Sequence, residues 1–168
     1  GSIPLIPATN IGVKNAVRNL DPYLRVEAET KAFSHGLRMN YKDRNNIFVH
    51  GIDNGDYIKV RSVDFGEEGA FKFVAAVRCS SGKGGNIEVH LDKKDGEKIA
   101  SLSVEPTNNA WKELETEVMM VTGVHDIYFT FSGQNSEMFE FDYWYFVDQS
   151  HNIPQTPYNG DPAEIPGK

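Results

Sequence analysis

What most constrains this chain is a two-residue rhythm of apolar and polar side chains, broken at short intervals by turns that carry glycine. Residues 52–66 (IDNGDYIKVRSVDFG) show the unit. Asp53-Asn54-Gly55-Asp56 is a turn signal, because Asn and Gly reach positive φ at little cost and Asp can hydrogen-bond its own backbone. Tyr57 to Arg61 then alternates, with Ile58 and Val60 on one side and Tyr57, Lys59 and Arg61 on the other. That is the pattern of a strand with one covered and one open face. Residues 86–92 (NIEVHLD) repeat it most cleanly, with Ile87, Val89 and Leu91 inward and Glu88 and His90 outward, before the hairpin turn Lys93-Lys94-Asp95-Gly96. Residues 70–78, 98–104, 126–132 and the aromatic-dense 139–147 read as further strands.

Residues 111–121 (WKELETEVMMV) carry helix formers in Glu and Met. Leu114, Thr116 and Val118 nevertheless fall on one strand face and the neighbours are strands, so a strand is expected. Regular structure begins near Pro22, and Glu27 and Glu29 share a face if residues 22–30 are extended. Residues 34–46 are polar and read as a long loop. Short strands at regular spacing with glycine turns predict an all-β fold, a β-sandwich or jelly roll of two antiparallel sheets. The 168 residues suit one domain with tails. Residues 1–22 are expected as a linker or strap, 23–147 as the sandwich, and the proline-rich 148–168 as a linker to a further domain.

Charge and motifs exclude several functions. A formal charge of -7 and a pI near 5.2 leave no basic stripe, which argues against nucleic acid or an anionic membrane as partner. No apolar run reaches the length of a membrane span. The single cysteine, Cys79, permits no internal disulfide and no cysteine-built zinc site; at a strand end beside Ser80-Ser81-Gly82 it reads as a packed thiol. No phosphate loop, HExxH motif or Ser/His/Asp order is present. A glycosidase would need two carboxyl groups about 5–10 Å apart across a cleft, for which Glu88 with Glu140 or Asp142 would be the candidates.

Five stretches in order, VEAET, IDNGDYIKVRSVDFG, GGNIEVHLD, TGVHDIYFTFSG and FEFDYW, resemble a family 6 carbohydrate-binding module over residues 23–147. Such modules are jelly rolls attached to plant- and algal-polysaccharide hydrolases. The resemblance implies a non-catalytic, secreted module that targets a linked glycoside hydrolase to polysaccharide, xylan or arabinoxylan first. Its partners would be polysaccharide and covalently linked catalytic and other domains. The competing reading is a sandwich interaction domain with a degenerate sugar site.

The same resemblance implies two sugar sites and a metal site. In the loop-end cleft the stacking tryptophan matches Trp111, the second aromatic position is Gly51, and the hydroxyl-binding asparagine position is Glu140; His50, Tyr41 or Phe48 would supply a replacement wall. On the sheet face the aromatic matches Tyr57 and the acid Glu88, with Lys59 and His90 on the same faces. A pyranose suits both, since its C–H face stacks on rings and its hydroxyls want polar partners. Glu27, Glu29 and Asp142 match the family's acidic group where first and last strands meet. All-oxygen ligation by carboxylates implies structural calcium, and a cation explains how clustered acids are tolerated.

Overall fold

The computed structural model describes residues 19–29, 33–36, 38–43 and 46–149, with 33–35, 38–43 and 46 in their backbone. Their strands form the expected pair of antiparallel sheets. One runs β3 (Arg38–Asp43), β4 (Asn46–His50), β11 (Glu140–Asp148), β6 (Ala70–Arg78), β9 (Trp111–Val121), with β1 (Val26–Glu27) also on β11. The other runs β2 (Phe33–His35), β5 (Tyr57–Asp64), β10 (Val124–Ser132), β7 (Gly85–Leu91), β8 (Lys98–Val104). No helix among the described residues is long and apolar enough to cross a membrane.

Residues 111–121 are a strand, as the face pattern predicts. Leu114 and Val118 pack on the core while β6 supplies the ladder, so tertiary pairing overrides the helix propensity of Glu and Met. Residues 34–46 correct the expected long loop. Their backbone makes β3 and parts of β2 and β4, because pairing such as Met39 with Val49 and Tyr41 with Ile47 needs no apolar rhythm at a sheet edge. Gly36 (φ 83°) lies where the chain passes from one sheet to the other, and a Cβ there would meet the Asp56 carboxylate at 2.0 Å. Residues 22–30 also differ from expectation: among those described, only Val26 and Glu27 pair with β11, and Ala28-Glu29 already turn. Leu20 exchanges bonds with Ser62 and Asp64 (both 2.9 Å), so the strap reaches the domain by residue 19. The rest of the strap (1–18) and residues 150–168 lie outside the described residues.

The sheets meet through aromatic rings. Phe129 on β10 lies 5.6 Å from Phe73, 5.0 Å from Trp144 and 6.0 Å from Phe141, all on the opposite sheet. Phe146 joins them at 5.1 Å from Phe73 and 5.1 Å from Phe65. A bulge in β11 makes this possible. The register against β6 jumps between Phe141 and Tyr143, so Phe141 and Trp144 both point inward while Tyr143 and Tyr145 stand half-exposed. The extra residue, Asp142, is 0 % exposed. Phe129→Ala should therefore cost about 3–5 kcal/mol in urea unfolding, as large-to-small changes at a fully packed ring do. A loss under about 1 kcal/mol would contradict its place at the centre of the core.

Candidate functional site

Three places hold the residues that the sequence singles out. The first is at one end of the sandwich, where Glu140 opens β11, Arg78 closes β6 and Trp111 opens β9. Register puts Glu140 opposite Arg78 and Arg78 opposite Trp111, so the three stand in one row across the outer face. Arg78 Nε donates to Glu140 Oε1 at 2.5 Å, and the guanidinium carbon lies 4.9 Å from the Trp111 ring centroid and 5.4 Å from that of Phe48. Phe48 is buried edge-on against Trp111 at 5.3 Å, which places it in the support of the tryptophan rather than in an open wall.

A cavity of about 320 Å³ opens beside this row, lined by His50, Gly51, Arg78, Lys83, Asn109 and Glu140 among others. Trp111 borders a smaller hollow of about 120 Å³ with Ala76, Lys112, Glu113 and Tyr143. Loop chemistry fixes the walls. Thr107 Oγ1 accepts from Cys79 N (3.0 Å) and donates to Ala110 O (2.6 Å), while Asn109 N donates to Cys79 O (3.1 Å). Asn108 and Asn109 take left-handed φ of 57° and 58°, which asparagine tolerates. On the other side Asp53 Oδ1 accepts from Glu137 N (2.7 Å) and Lys83 Nζ donates to Ser136 O (2.8 Å). Gly51 has φ 70°, so the missing aromatic has a backbone cause: a side chain there would be strained. His50 lies 6.1 Å from Phe48 on the rim, and Tyr41 is described in its backbone only, opposite Ile47. Cys79 is buried and burial pushes its thiol pKa up, an inert packed thiol as expected.

The second place is the open face of the β5–β10–β7 sheet. Thr130 pairs with both Tyr57 and Glu88, which puts these two in one row, two strands or about 10 Å apart. Tyr128, which alternation also turns outward, lies 6.1 Å from Tyr57. Each ring has an amine near its face, Lys94 at 5.0 Å from Tyr57 and Lys59 at 5.5 Å from Tyr128. Glu88 is engaged by His90 (3.1 Å) and Lys98 (3.7 Å), and His90 Nδ1 donates to Gly96 O at 2.8 Å.

The third place is where β1 meets β11. Ala28 N donates to Asp142 O at 2.8 Å, and Glu29 Oε1 and Asp142 Oδ1 are both screened from solvent. Glu27 instead receives Arg25 on both carboxylate oxygens (2.6 and 3.2 Å), and that hydrogen bond raises the Arg25 pKa. Among the described residues no three His, Cys, Asp or Glu side chains gather as a metal cluster. Arg25 also covers the Tyr143 ring at 3.9 Å, and Tyr143 and Tyr145 both donate to Glu113 (2.5 and 3.2 Å). Burial, then the Glu113 bond and charge, push the Tyr143 pKa to about 12. These tyrosines form a closed network rather than an open stacking platform.

Sequence reasoning missed Arg78, Lys83, Asn109 and Tyr128. The cation that closes the apolar run 73–77 was the available signal for Arg78; the loop residues reach the cavity only through long-range register.

A profile of the carbohydrate binding module (family 6) matches residues 27–148. The chain is similar to an arabinoxylan arabinofuranohydrolase of Bacillus subtilis (strain 168), 43% identical over 158 residues, covering 89% of this chain and 30% of that protein. An arabinoxylan arabinofuranohydrolase of Paenibacillus polymyxa is 36% identical over 175 residues, covering 99% of this chain and 27% of that protein. Among solved structures, a family 6 carbohydrate-binding module from Clostridium cellulolyticum in complex with xylose superposes with a TM-score of 0.71 at 32% identity, covering 76% of this chain and 99% of that one. The chain thus spans less than a third of the curated relatives it matches.

Proposed function

Since the chain belongs to family 6 of the carbohydrate-binding modules, we propose that it anchors a linked glycoside hydrolase to plant cell-wall xylan, arabinoxylan first, outside the cell and without cutting it. The loop cavity carries this reading: a polar pocket sized for a sugar unit, lined by Arg78 and Glu140, with Trp111 next in their row. Trp111 offers its ring to a C–H face, and Glu140, Arg78 and Asn109 address hydroxyls. A glycosidase needs a carboxylic acid facing a second carboxylate across the scissile bond. Glu140 is committed to Arg78, and Glu88, two strands from Tyr57 on the other sheet, faces neither Glu140 nor Asp142 across a cleft.

One good platform and a few hydrogen bonds to neutral hydroxyls support weak binding, about 4–6 kcal/mol or millimolar to tens of micromolar. In titrations with arabinoxylan oligosaccharides, Trp111→Ala should lose about tenfold or more in affinity, and Tyr57→Ala should match the parent. Full binding by Trp111→Ala with loss in Tyr57→Ala would move the site to the sheet face, where the Tyr57–Tyr128 pair would be the platform. Absence of binding to any polysaccharide would favour an interaction domain.

Calcium belongs to the same proposal. Glu29 and Asp142 suit a hard cation, because each turns a solvent-screened carboxylate oxygen toward the junction of β1 and β11, where backbone carbonyls would complete oxygen ligation. Glu27 does not join them while it holds Arg25. Bound calcium would pin the turn after β1 to β11. Removing metal with EDTA should lower the melting temperature, since an ion bound only to the native state stabilises by mass action. An unchanged melt after verified metal removal would count against it.

A further inference from the structure

Arg78 gives the loop cavity a cation where the resemblance supplies none. Its guanidinium lies against Trp111 and Phe48, and its one hydrogen bond among the described residues runs from Nε to Glu140 Oε1. The four N–H groups of its terminal nitrogens remain for a ligand or for water. Glu140 keeps its second carboxylate oxygen. Across the cavity Gly51 contributes no side chain, and its φ of 70° disfavours one.

An amide offers a donor and an acceptor from a single side chain. A carboxylate accepts only and a guanidinium donates only, so Glu140 alone loses half of that capacity. The row restores it with two residues held in fixed register. Neighbouring ring hydroxyls stand side by side, so a donor and an acceptor held next to each other, as on Arg78 and Glu140, can engage one each. The charges of Arg78 and Lys83 in the lining are countered by those of Glu137 and Glu140, which suits a neutral sugar better than a uronate.

We propose that Arg78 and Glu140 act as one recognition unit for two adjacent hydroxyls of a neutral sugar. One hydroxyl donates to Glu140 and its neighbour accepts from Arg78. The guanidinium lies against Trp111, so the donors are held beside the ring, while the wall at Gly51 stays open. This rests on the carbohydrate-binding reading above and goes beyond it in assigning Arg78 a specificity-determining role.

The test is calorimetric titration of the purified chain with xylotetraose, for the parent, Arg78→Lys, Glu140→Met and the double variant, each with its melting temperature. Arg78→Lys keeps the charge and loses the fork and the stacking, while Glu140→Met keeps the length and removes the acceptor, and it carries the test if the arginine variant fails to fold. Each single change should weaken binding about tenfold. The double should be no weaker than the poorer single by more than about twofold, because groups that act as a unit are not additive. Parent affinity should change less than about twofold from low to high salt, as for a neutral ligand. Folded Arg78→Lys that binds within about twofold of the parent, or losses that multiply in the double variant, would overturn the unit while leaving the sugar site standing. Tighter binding of trigalacturonate, lost in Arg78→Lys, would overturn it as well, making Arg78 a carboxylate reader. A parent that binds neither xylotetraose nor arabinoxylan would sink the xylan reading itself.

Discussion

The whole arrangement depends on one extra residue in one strand. Strict alternation along β11 would face Phe141 and Tyr143 the same way, and only one of Phe141 and Trp144 could reach the core. The bulge at Asp142 lets both rings enter, against Phe129 of the opposite sheet. It also keeps Glu140 on the outer face in register with Arg78, and it leaves a carboxylate at zero exposure beside the turn that follows β1. Core, end cavity and buried carboxylate all meet at one backbone irregularity.

That irregularity also explains why the two ends of β11 have different chemistry. Before the bulge, the outer face holds the Glu140–Arg78–Trp111 row and opens on a polar cavity. After it, Tyr143 and Tyr145 share Glu113, and Arg25 covers the first ring. Aromatic rings are common to both halves, and Trp111 and Tyr143 border the same small hollow, yet only the first half adjoins the larger polar cavity with donors left on Arg78. The opposite sheet offers Tyr57 and Tyr128, but lysines lie over both rings and Glu88 is held by His90 and Lys98.

Much of this was legible in the residues. Period-two runs such as 86–92 announce their inward and outward faces, and those faces are observed, as is the strand at 111–121 despite its glutamates. Strands β2 and β3 were not legible, because edge strands are specified by their partners rather than by an apolar rhythm. Glu27 and Glu29 looked paired by alternation, but the strand stops at Glu27 and the shared face stops with it. Arg78 ends the strand expected at 70–78, but its position between Trp111 and Glu140 depends on residues some thirty and sixty positions away, which no local pattern encodes.

The central claim is that the end cavity, and not the sheet face, takes the sugar. Amide and indole shifts of the ¹⁵N-labelled chain, followed by NMR while a xylan oligosaccharide is added, test it most directly. The account predicts that saturable shifts gather at Gly51, Arg78, Asn109, Trp111 and Glu140 and leave Tyr57, Glu88 and Tyr128 in place. Shifts gathered on those last three residues, or none at about 10 mM sugar, above the expected dissociation constants, would contradict it.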